Sequence, residues 1–251
     1  MGKQSPISWT NDTWNPWQGC LKISTGCLNC YMFREKKRYG QNPTNIHRSS
    51  DQTFYAPLKK LQGPIIFVCS WSDFFIEQAD HWRGQAWDIM RQTPHLFYLI
   101  LTKRPNNIQK RLPADWNKGY PNVGLGVSVE NQKSAWRMHA LCEIPAALLF
   151  ASLEPLLEPV TFPSTLFTID WVITGGESGT GHNFRPVDQG AFIHIMRQCK
   201  QRNIAYFHKQ NGGSKKTNAA YGGDLLDGRR YHEYPKIILD HIPKYRKAES
   251  R

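Results

Sequence analysis

The sequence predicts an α/β fold, an incomplete (β/α) barrel of six or seven parallel strands with outer helices. Three observations lead there. Six strand-length runs are almost continuously apolar, as strands covered on both faces are. Segments with helical spacing of apolar residues lie between them. The strand-helix unit repeats every roughly 22 to 35 residues, the period of a (β/α) barrel. A doubly wound open sheet is the competing architecture.

Taken in order, the first strand is short, "ISWT" at 7–10, and Trp9 and Trp14 are expected to pack near the loop that follows. A helix from about Leu28 to Tyr39 comes next, stopped by Gly40. "PIIFVCS" at 64–70 is the second strand, and Ala79, Trp82, Ala86 and Ile89 then share one helical face. "LFYLILT" at 96–102 and "NVGLGVSV" at 122–129 follow as strands three and four. A helix over 131–142 gathers Ala135, Met138 and Leu141 behind an Asn131 cap. "ALLFAS" at 147–152 and "IDWVITGG" at 169–176 are strands five and six. Val187, Ala191, Ile195 and Cys199 mark the last crossover helix before "IAYFH" at 204–208. The chain reads as one domain, with 1–40 as cysteine-bearing strand, loop and first helix, 41–210 as barrel core and 211–251 as a C-terminal extension.

Composition supports a single core: 251 residues, 40% hydrophobic, with nine Trp, twelve Phe and ten Tyr. No secretory signal and no run of eighteen apolar residues is found, so a soluble cytoplasmic protein without membrane association is expected. "MGKQSP" has Pro where a myristoylation sequence needs Ser or Thr. Thirty-two Lys plus Arg against twenty Asp plus Glu give a net charge of +12, which favours a phosphate-bearing partner such as nucleic acid. The basic residues come in scattered pairs, not as one tail.

If the apolar runs are parallel strands, their C-terminal ends share one rim, where barrel enzymes build their sites. Asp73 follows strand two, and Thr102, Lys103 and Arg104 follow strand three. Ser128, Glu130 and Asn131 end strand four, Glu154 strand five, Glu177 and Ser178 strand six, and Lys209 and Gln210 the last. Any one of these fits an ordinary loop. Three successive glutamates in "SVEN", "SLEP" and "GGES" suggest a shared ligand. Gly175 and Gly176 in "ITGGESGTG" match neither a Walker loop nor G-x-G-x-x-G, so a tight turn competes with close approach to a ligand.

Cys20, Cys27 and Cys30 form C-x6-C-x2-C, with Gly19 and Gly26 before the first two. A disulfide with a spare thiol suits an oxidising compartment, which nothing in the sequence indicates. Structural zinc requires a fourth ligand, with Cys69, Cys142, Cys199 or His47 as candidates. A [4Fe-4S] cluster on three thiolates leaves one iron open to S-adenosyl-L-methionine, and an electron passed through it cleaves the carbon-sulfur bond to a 5'-deoxyadenosyl radical.

"ISWTNDTWNPWQGCLKISTGCLNCYMF", "PNVGLGVSVEN", "ASLEPLLEPV", "IDWVITGGESG" and "LDGRRYHEYP" together resemble the phage-type three-cysteine-motif family, which is radical-SAM-like and of unknown function. The resemblance implies that Cys20, Cys27 and Cys30 hold the cluster. Two features depart from the wider superfamily: the six-residue gap with Asn29 at the usual aromatic position, and the Gly-Gly-Glu motif after strand six rather than strand two. Asp73 then stands where the cofactor's amino group is bound, and Ser128, Glu130 and Asn131 where ribose hydroxyls are.

The expected activity is reductive cleavage of S-adenosyl-L-methionine to modify a nucleic acid or nucleotide-like substrate. Glu154, Gly175, Gly176 and Glu177 would line the cofactor, and Lys103, Arg104 and Lys209 would take substrate phosphate. An electron donor and a family partner protein are implied. The alternative is a non-catalytic zinc- or cluster-stabilised nucleic-acid-binding module using Tyr39, Tyr221, Tyr231 or Tyr245. A metal-dependent hydrolase is disfavoured, since no HExxH appears. Residues from about Gly222 read equally as a substrate lid or as a closing strand and tail.

Overall fold

Apolar runs without polar alternation have to be covered on both faces, and in the structure they pair edge to edge in parallel for that reason. The computed structural model describes residues 5–59, 61, 63–164, 168–214 and 221–242. Seven strands form one sheet: β1 (Asp12–Trp14), β2 (Ile65–Val68), β3 (Phe97–Thr102), β4 (Val123–Ser128), β5 (Leu148–Leu153), β6 (Trp171–Gly175) and β7 (Ala205–Gln210). They lie side by side in chain order, all parallel, and curl into a half-barrel with helices around it. The helices of six residues or more are α1 (Tyr31–Arg38), α2 (Asp80–Gln92), α3 (Trp136–Cys142), α4 (Gln189–Gln201) and α5 (Lys236–His241).

The first strand is displaced from its expected position at 7–10 to Asp12–Trp14. Residues 7–10 form a turn instead, closed by the Thr10 amide on the Ile7 carbonyl at 3.2 Å. The turn carries Trp9 inside the half-barrel, against Phe67 at 4.8 Å and Trp171 at 6.4 Å between ring centroids. A ring that large is buried better as a plug than as one of a row on a strand. Trp14 goes to the opposite face of the sheet, with Phe54 and Tyr98, so the two tryptophans do not share a site.

Strand alternation divides the core in two. Phe67, Leu99, Phe150, Ile173 and Phe207 point inward with Trp9, whereas Val68, Ile100, Val127, Ala151 and Val172 meet the helices. On β4 the inward positions are Gly124 and Gly126. A Cβ on Gly126 would stand 2.4 Å from Cζ of Phe150, so the glycines make room for a neighbour's ring. The expected helix over 131–142 is a capping box at Asn131 and Ser134, one 3-10 turn, and then α3. Likewise α1 starts at Tyr31 rather than Leu28, because Thr25–Cys27 makes a 3-10 turn ahead of it.

Beyond Gly222 the described chain is a closing element. Leu225–Leu226 and Arg229–Arg230 form a hairpin across an Asp227–Gly228 turn with φ of 47° and 72°. Tyr231 and Glu233 then bond to the free edge of β7, with His208 N to Tyr231 O at 2.7 Å and Glu233 N to Tyr206 O at 3.1 Å. That covers an edge otherwise open to pairing. Next, α5 inserts Ile238 into the inner core. The basic "PKYRKAESR", with Tyr245, lies outside the described residues. No helix among the described residues is long and apolar enough to cross a membrane.

Candidate functional site

The site is built by the loop that leaves β1 and crosses the C-terminal ends of the strands. Trp17–Gln18 pairs antiparallel with His47–Arg48, and Gly19 turns with φ of 90° where a Cβ would lie 2.3 Å from the Asn45 carbonyl oxygen. Only glycine fits that turn. The loop is tied beneath to the β2 end: Gly19 N donates to Trp71 O at 3.1 Å, and Ser72 Oγ to Gly19 O at 2.6 Å. Cys20, Cys27 and Cys30 follow, the last at the N-terminus of α1.

Four carboxylates stand below this loop, each paired with a cation. Asp73 accepts from Thr102 Oγ1 at 2.7 Å, from Lys103 N at 3.0 Å and from Arg104 Nη1 at 3.0 Å. The same guanidinium donates to Leu21 O at 2.9 Å and lies 3.9 Å from Cys20 Sγ. Glu130, with no exposed side-chain surface, accepts from Lys103 Nζ at 2.7 Å, Arg137 Nη1 at 2.9 Å and Ser24 Oγ at 2.7 Å. Glu177 pairs with Arg185 and accepts from Asn29 Nδ2 at 2.9 Å, while Arg185 Nη1 donates to Thr25 O at 3.0 Å. Glu154 accepts from Lys209 Nζ at 2.8 Å, Ser152 Oγ at 3.1 Å and Trp9 Nε1 at 3.2 Å.

These partners set the charge states. Burial alone raises the carboxyl of Glu130, but Lys103 and Arg137 outweigh it and hold the group below its ordinary value. Burial likewise opposes ionisation of Glu177, and the hydrogen bonds from Arg185 and Asn29 reverse it. The Cys20 thiol is pushed up to about 12, first by burial and then by the Asp73 charge, against the pull of Arg104. Without a metal it is protonated at neutral pH.

The expected strand-end residues Asp73, Lys103, Arg104, Glu130, Glu154, Glu177 and Lys209 thus follow or end their strands and make the contacts given above. Ser128 is buried and gives its carbonyl to Arg137 at 2.7 Å. Asn131 caps the turn before α3 and donates to Thr25 Oγ1 at 3.2 Å. The two glycines have packing reasons: a Cβ on Gly175 would stand 2.9 Å from Glu154 Oε1, and one on Gly176 would stand 2.1 Å from the Asn211 carbonyl oxygen. Of the tyrosines considered for base stacking, Tyr39 is exposed, Tyr221 is half-buried and Tyr231 is packed against the helix-side core.

Trp9, Ser24, Arg137, Ser152 and Arg185 were not anticipated as site residues. Ser152 was legible, because strand alternation puts it on the face of Glu154 two residues later. Arg137 and Arg185 carried no such signal, since each reaches the rim by a long side chain from another element.

The family described as a protein of unknown function, DUF5131, has a model that matches residues 4–235. The chain belongs to that family. No curated protein and no solved structure matches it. In this DUF5131 member the matched span takes in the cysteine loop, all seven strands and the segment that closes the edge of β7.

The donor set in the DUF5131 chain also bears on which metal group it suits. All six cysteines are free thiols. Among the described residues no three His, Cys, Asp or Glu side chains converge as ligands of a single ion. Of the candidate fourth ligands, Cys199 is sealed in the helix-side core, Cys69 is buried after β2, Cys142 ends α3 and His47 is exposed beside Gln18. A cluster spreads its thiolates over separate irons, so its ligands need not meet at a point. Cys20, Cys27 and Cys30 lie on one loop, with the Arg104 guanidinium 3.9 Å from Cys20 Sγ and Cys30 at the N-terminus of α1.

Proposed function

We propose that this protein is a radical-SAM-type iron-sulfur enzyme that modifies a nucleic acid or another phosphate-bearing substrate. One observation carries the reading: the three-cysteine loop is bonded to the same strand-end residues that form the carboxylate rim, through Arg104, Glu130, Asn131 and Glu177. A structural metal has no need of that position. The likeness to phage-type three-cysteine proteins points the same way.

Cys20, Cys27 and Cys30 would hold a [4Fe-4S] cluster, which when bound to S-adenosyl-L-methionine supplies the electron that cleaves the carbon-sulfur bond. The protein's own groups then divide the remaining work. Glu130 and Glu177 hold the loop, and Arg104 places a positive charge against Cys20. Glu154, Lys209 and Lys103 keep 15%, 24% and 20% of their side-chain surface exposed. They are accordingly the groups that meet ligands: Glu154 for an ammonium or hydroxyl, the lysines for carboxylate or phosphate. Ser152 and Trp9 orient Glu154 by donating to its second oxygen.

The test is anaerobic reconstitution with iron and sulfide, followed by reduction with S-adenosyl-L-methionine and analysis for 5'-deoxyadenosine. Iron uptake with cofactor cleavage is expected. Stoichiometric zinc without iron overturns the reading, and a cluster that never cleaves the cofactor reassigns the chain to a cluster-stabilised binding module. Cys30→Ala is expected to lose the cluster's visible absorption while far-UV circular dichroism is retained. Global unfolding of that variant would mark a structural metal instead.

A further inference from the structure

Part of the cysteine loop is taken up by the rim. A Cβ on Gly26 would stand 2.3 Å from Glu130 Cγ, and Ser24 and Asn29 bond to Glu130 and Glu177. The exposed residues of the same segment are largely apolar. Nine large hydrophobic residues are exposed among the described ones, and five of them, Leu21, Ile23, Leu28, Tyr31 and Tyr39, belong to this loop and to α1 with its C-terminal cap. Contacts join them into a surface. Lys22 Nζ donates to Leu28 O at 2.7 Å and stands over the Phe33 ring at 5.0 Å, which holds the limb carrying Leu21 and Ile23 beside Leu28. From there Tyr31, Arg34 and Arg38 continue along the face of α1 opposite the buried Met32, Phe33 and Lys36, and the Arg38 guanidinium reaches the Tyr39 ring at 5.9 Å. An apolar concentration of this kind marks an interaction site.

Charge and side-chain type indicate what fits it. Residues 21–39 hold five Lys and Arg against one acid, Glu35, which is shared between Arg34 and Arg38 at 3.8 Å each. Lys36 is buried, whereas Lys22, Lys37 and Arg38 are exposed and Arg34 is half-buried. The surface therefore sets aliphatic and tyrosine side chains among uncancelled cations. Nucleic acid suits it poorly, because Leu21, Ile23 and Leu28 stand where bases would need stacking rings. Protein partners anchor on Trp, Tyr and Arg seated in pockets, with Leu under-represented, whereas these side chains are separate tips with 37% to 67% exposure. A bilayer takes aliphatic side chains at the acyl boundary, tyrosine rings at headgroup level and Lys and Arg against lipid phosphates, and being fluid it conforms to the shape it meets.

We propose that residues 21–39 dock this protein on the surface of a bilayer that contains anionic phospholipid. Leu21, Ile23 and Leu28 enter the boundary between headgroups and acyl chains, and Lys22, Arg34, Lys37 and Arg38 stand against the lipid phosphates. The net charge of +12 draws the whole chain to such a surface, and the patch fixes which face arrives. Surface attachment needs no spanning helix, and none is found among the described residues. It replaces the expectation of no membrane association, which considered spanning segments only. Tyr31 joins the patch to the candidate site, because its hydroxyl donates to Ser70 O at 2.5 Å and lies near the Glu154 charge. The docked face thus borders the strand-end rim.

The experiment uses the full chain as purified, with vesicles of phosphatidylcholine alone or mixed with phosphatidylglycerol. Co-sedimentation is expected with the mixed vesicles only, and it should weaken as salt is raised. Ile23→Asp and the double variant Lys37→Glu/Arg38→Glu are each expected to lower the partition by about tenfold or more, since one cation near an anionic surface counts for about fivefold. The double variant Lys110→Glu/Lys133→Glu removes the same charge from exposed residues outside the patch. It should bind better than Lys37→Glu/Arg38→Glu by about fivefold or more. Far-UV circular dichroism checks that each variant is folded, and on the wild-type protein mixed vesicles should slow amide exchange over 21–39. No binding to mixed vesicles overturns the proposal. So does equal loss in the two charge-reversed variants with a wild-type partition for Ile23→Asp, which would mark net charge alone, or slowed exchange confined to residues outside 21–39. A single-stranded oligonucleotide or an acidic protein that protects 21–39 when vesicles do not reassigns the patch and also overturns it. None of these measurements involves iron, so the docking and the iron-sulfur reading stand or fall separately.

Discussion

Glu130 has no exposed side-chain surface and is held by Lys103, Arg137 and Ser24, so its removal leaves two cations without their counter-charge. Breaking a buried pair from one side costs about 3 to 5 kcal/mol. Glu130→Ala is expected to lower stability by about that amount in chemical denaturation, and to raise amide exchange over 24–30 as Ser24 loses its acceptor. Unchanged exchange there would show that the loop is held without it. His208 gives a second prediction. It is fully buried between Thr174 Oγ1 at 3.0 Å and Asn211 Oδ1 at 3.2 Å, and burial lowers it from 6.5 to about 4. The neutral ring is the folded form, so its contribution is complete above pH 6.5 and is lost as pH falls towards 4, when the unfolded chain takes up the proton. The loss amounts to about 3 kcal/mol over that window. A plot of unfolding free energy against pH should show it, and His208→Gln should flatten the plot.

At the scale of elements, β4 shows how a strand's sequence is fixed by its neighbours. Gly124 and Gly126 alternate with the helix-facing Leu125 and Val127, and both lack side chains because Leu148, Leu99 and Phe150 occupy the space. Gly126→Ala should therefore destabilise by about 1 to 3 kcal/mol through overpacking, despite the better strand propensity of alanine. Combining it with Phe150→Leu should recover part of the loss, and additive losses in a double-mutant cycle would refute the clash. Element existence was legible here while boundaries were not. The runs at 64–70, 96–102, 122–129, 147–152, 169–176 and 204–208 all became strands, because a continuous apolar run has few other places to go. The first strand moved to Asp12–Trp14, because Trp9 finds more contact inside the half-barrel than at the edge of the sheet, a comparison no local pattern contains.

For the whole molecule, a half-barrel has two free edges, and this chain covers that of β7 with its own C-terminal segment. Deleting residues 225–251 should expose the amides of β7 and the inner core beneath Ile238. The truncated protein is expected to self-associate in analytical ultracentrifugation while the full chain does not; a monomeric, cooperatively folding truncation would refute the sealing role. The sequence by itself determined the parallel α/β layering, the common rim and which carboxylates and lysines stand on it, because period and strand order are local properties that place strand ends together. The three-cysteine loop was equally visible, because its spacing is written in consecutive residues. Only the tertiary structure decided who pairs with whom: Arg137 and Arg185 reach the rim from other elements, Trp9 reaches Glu154 across 145 residues, and Glu130 and Glu177 are committed to holding the loop. Long polar side chains choose partners by distance and burial once the backbone has been brought together, and those quantities do not exist until the chain has folded.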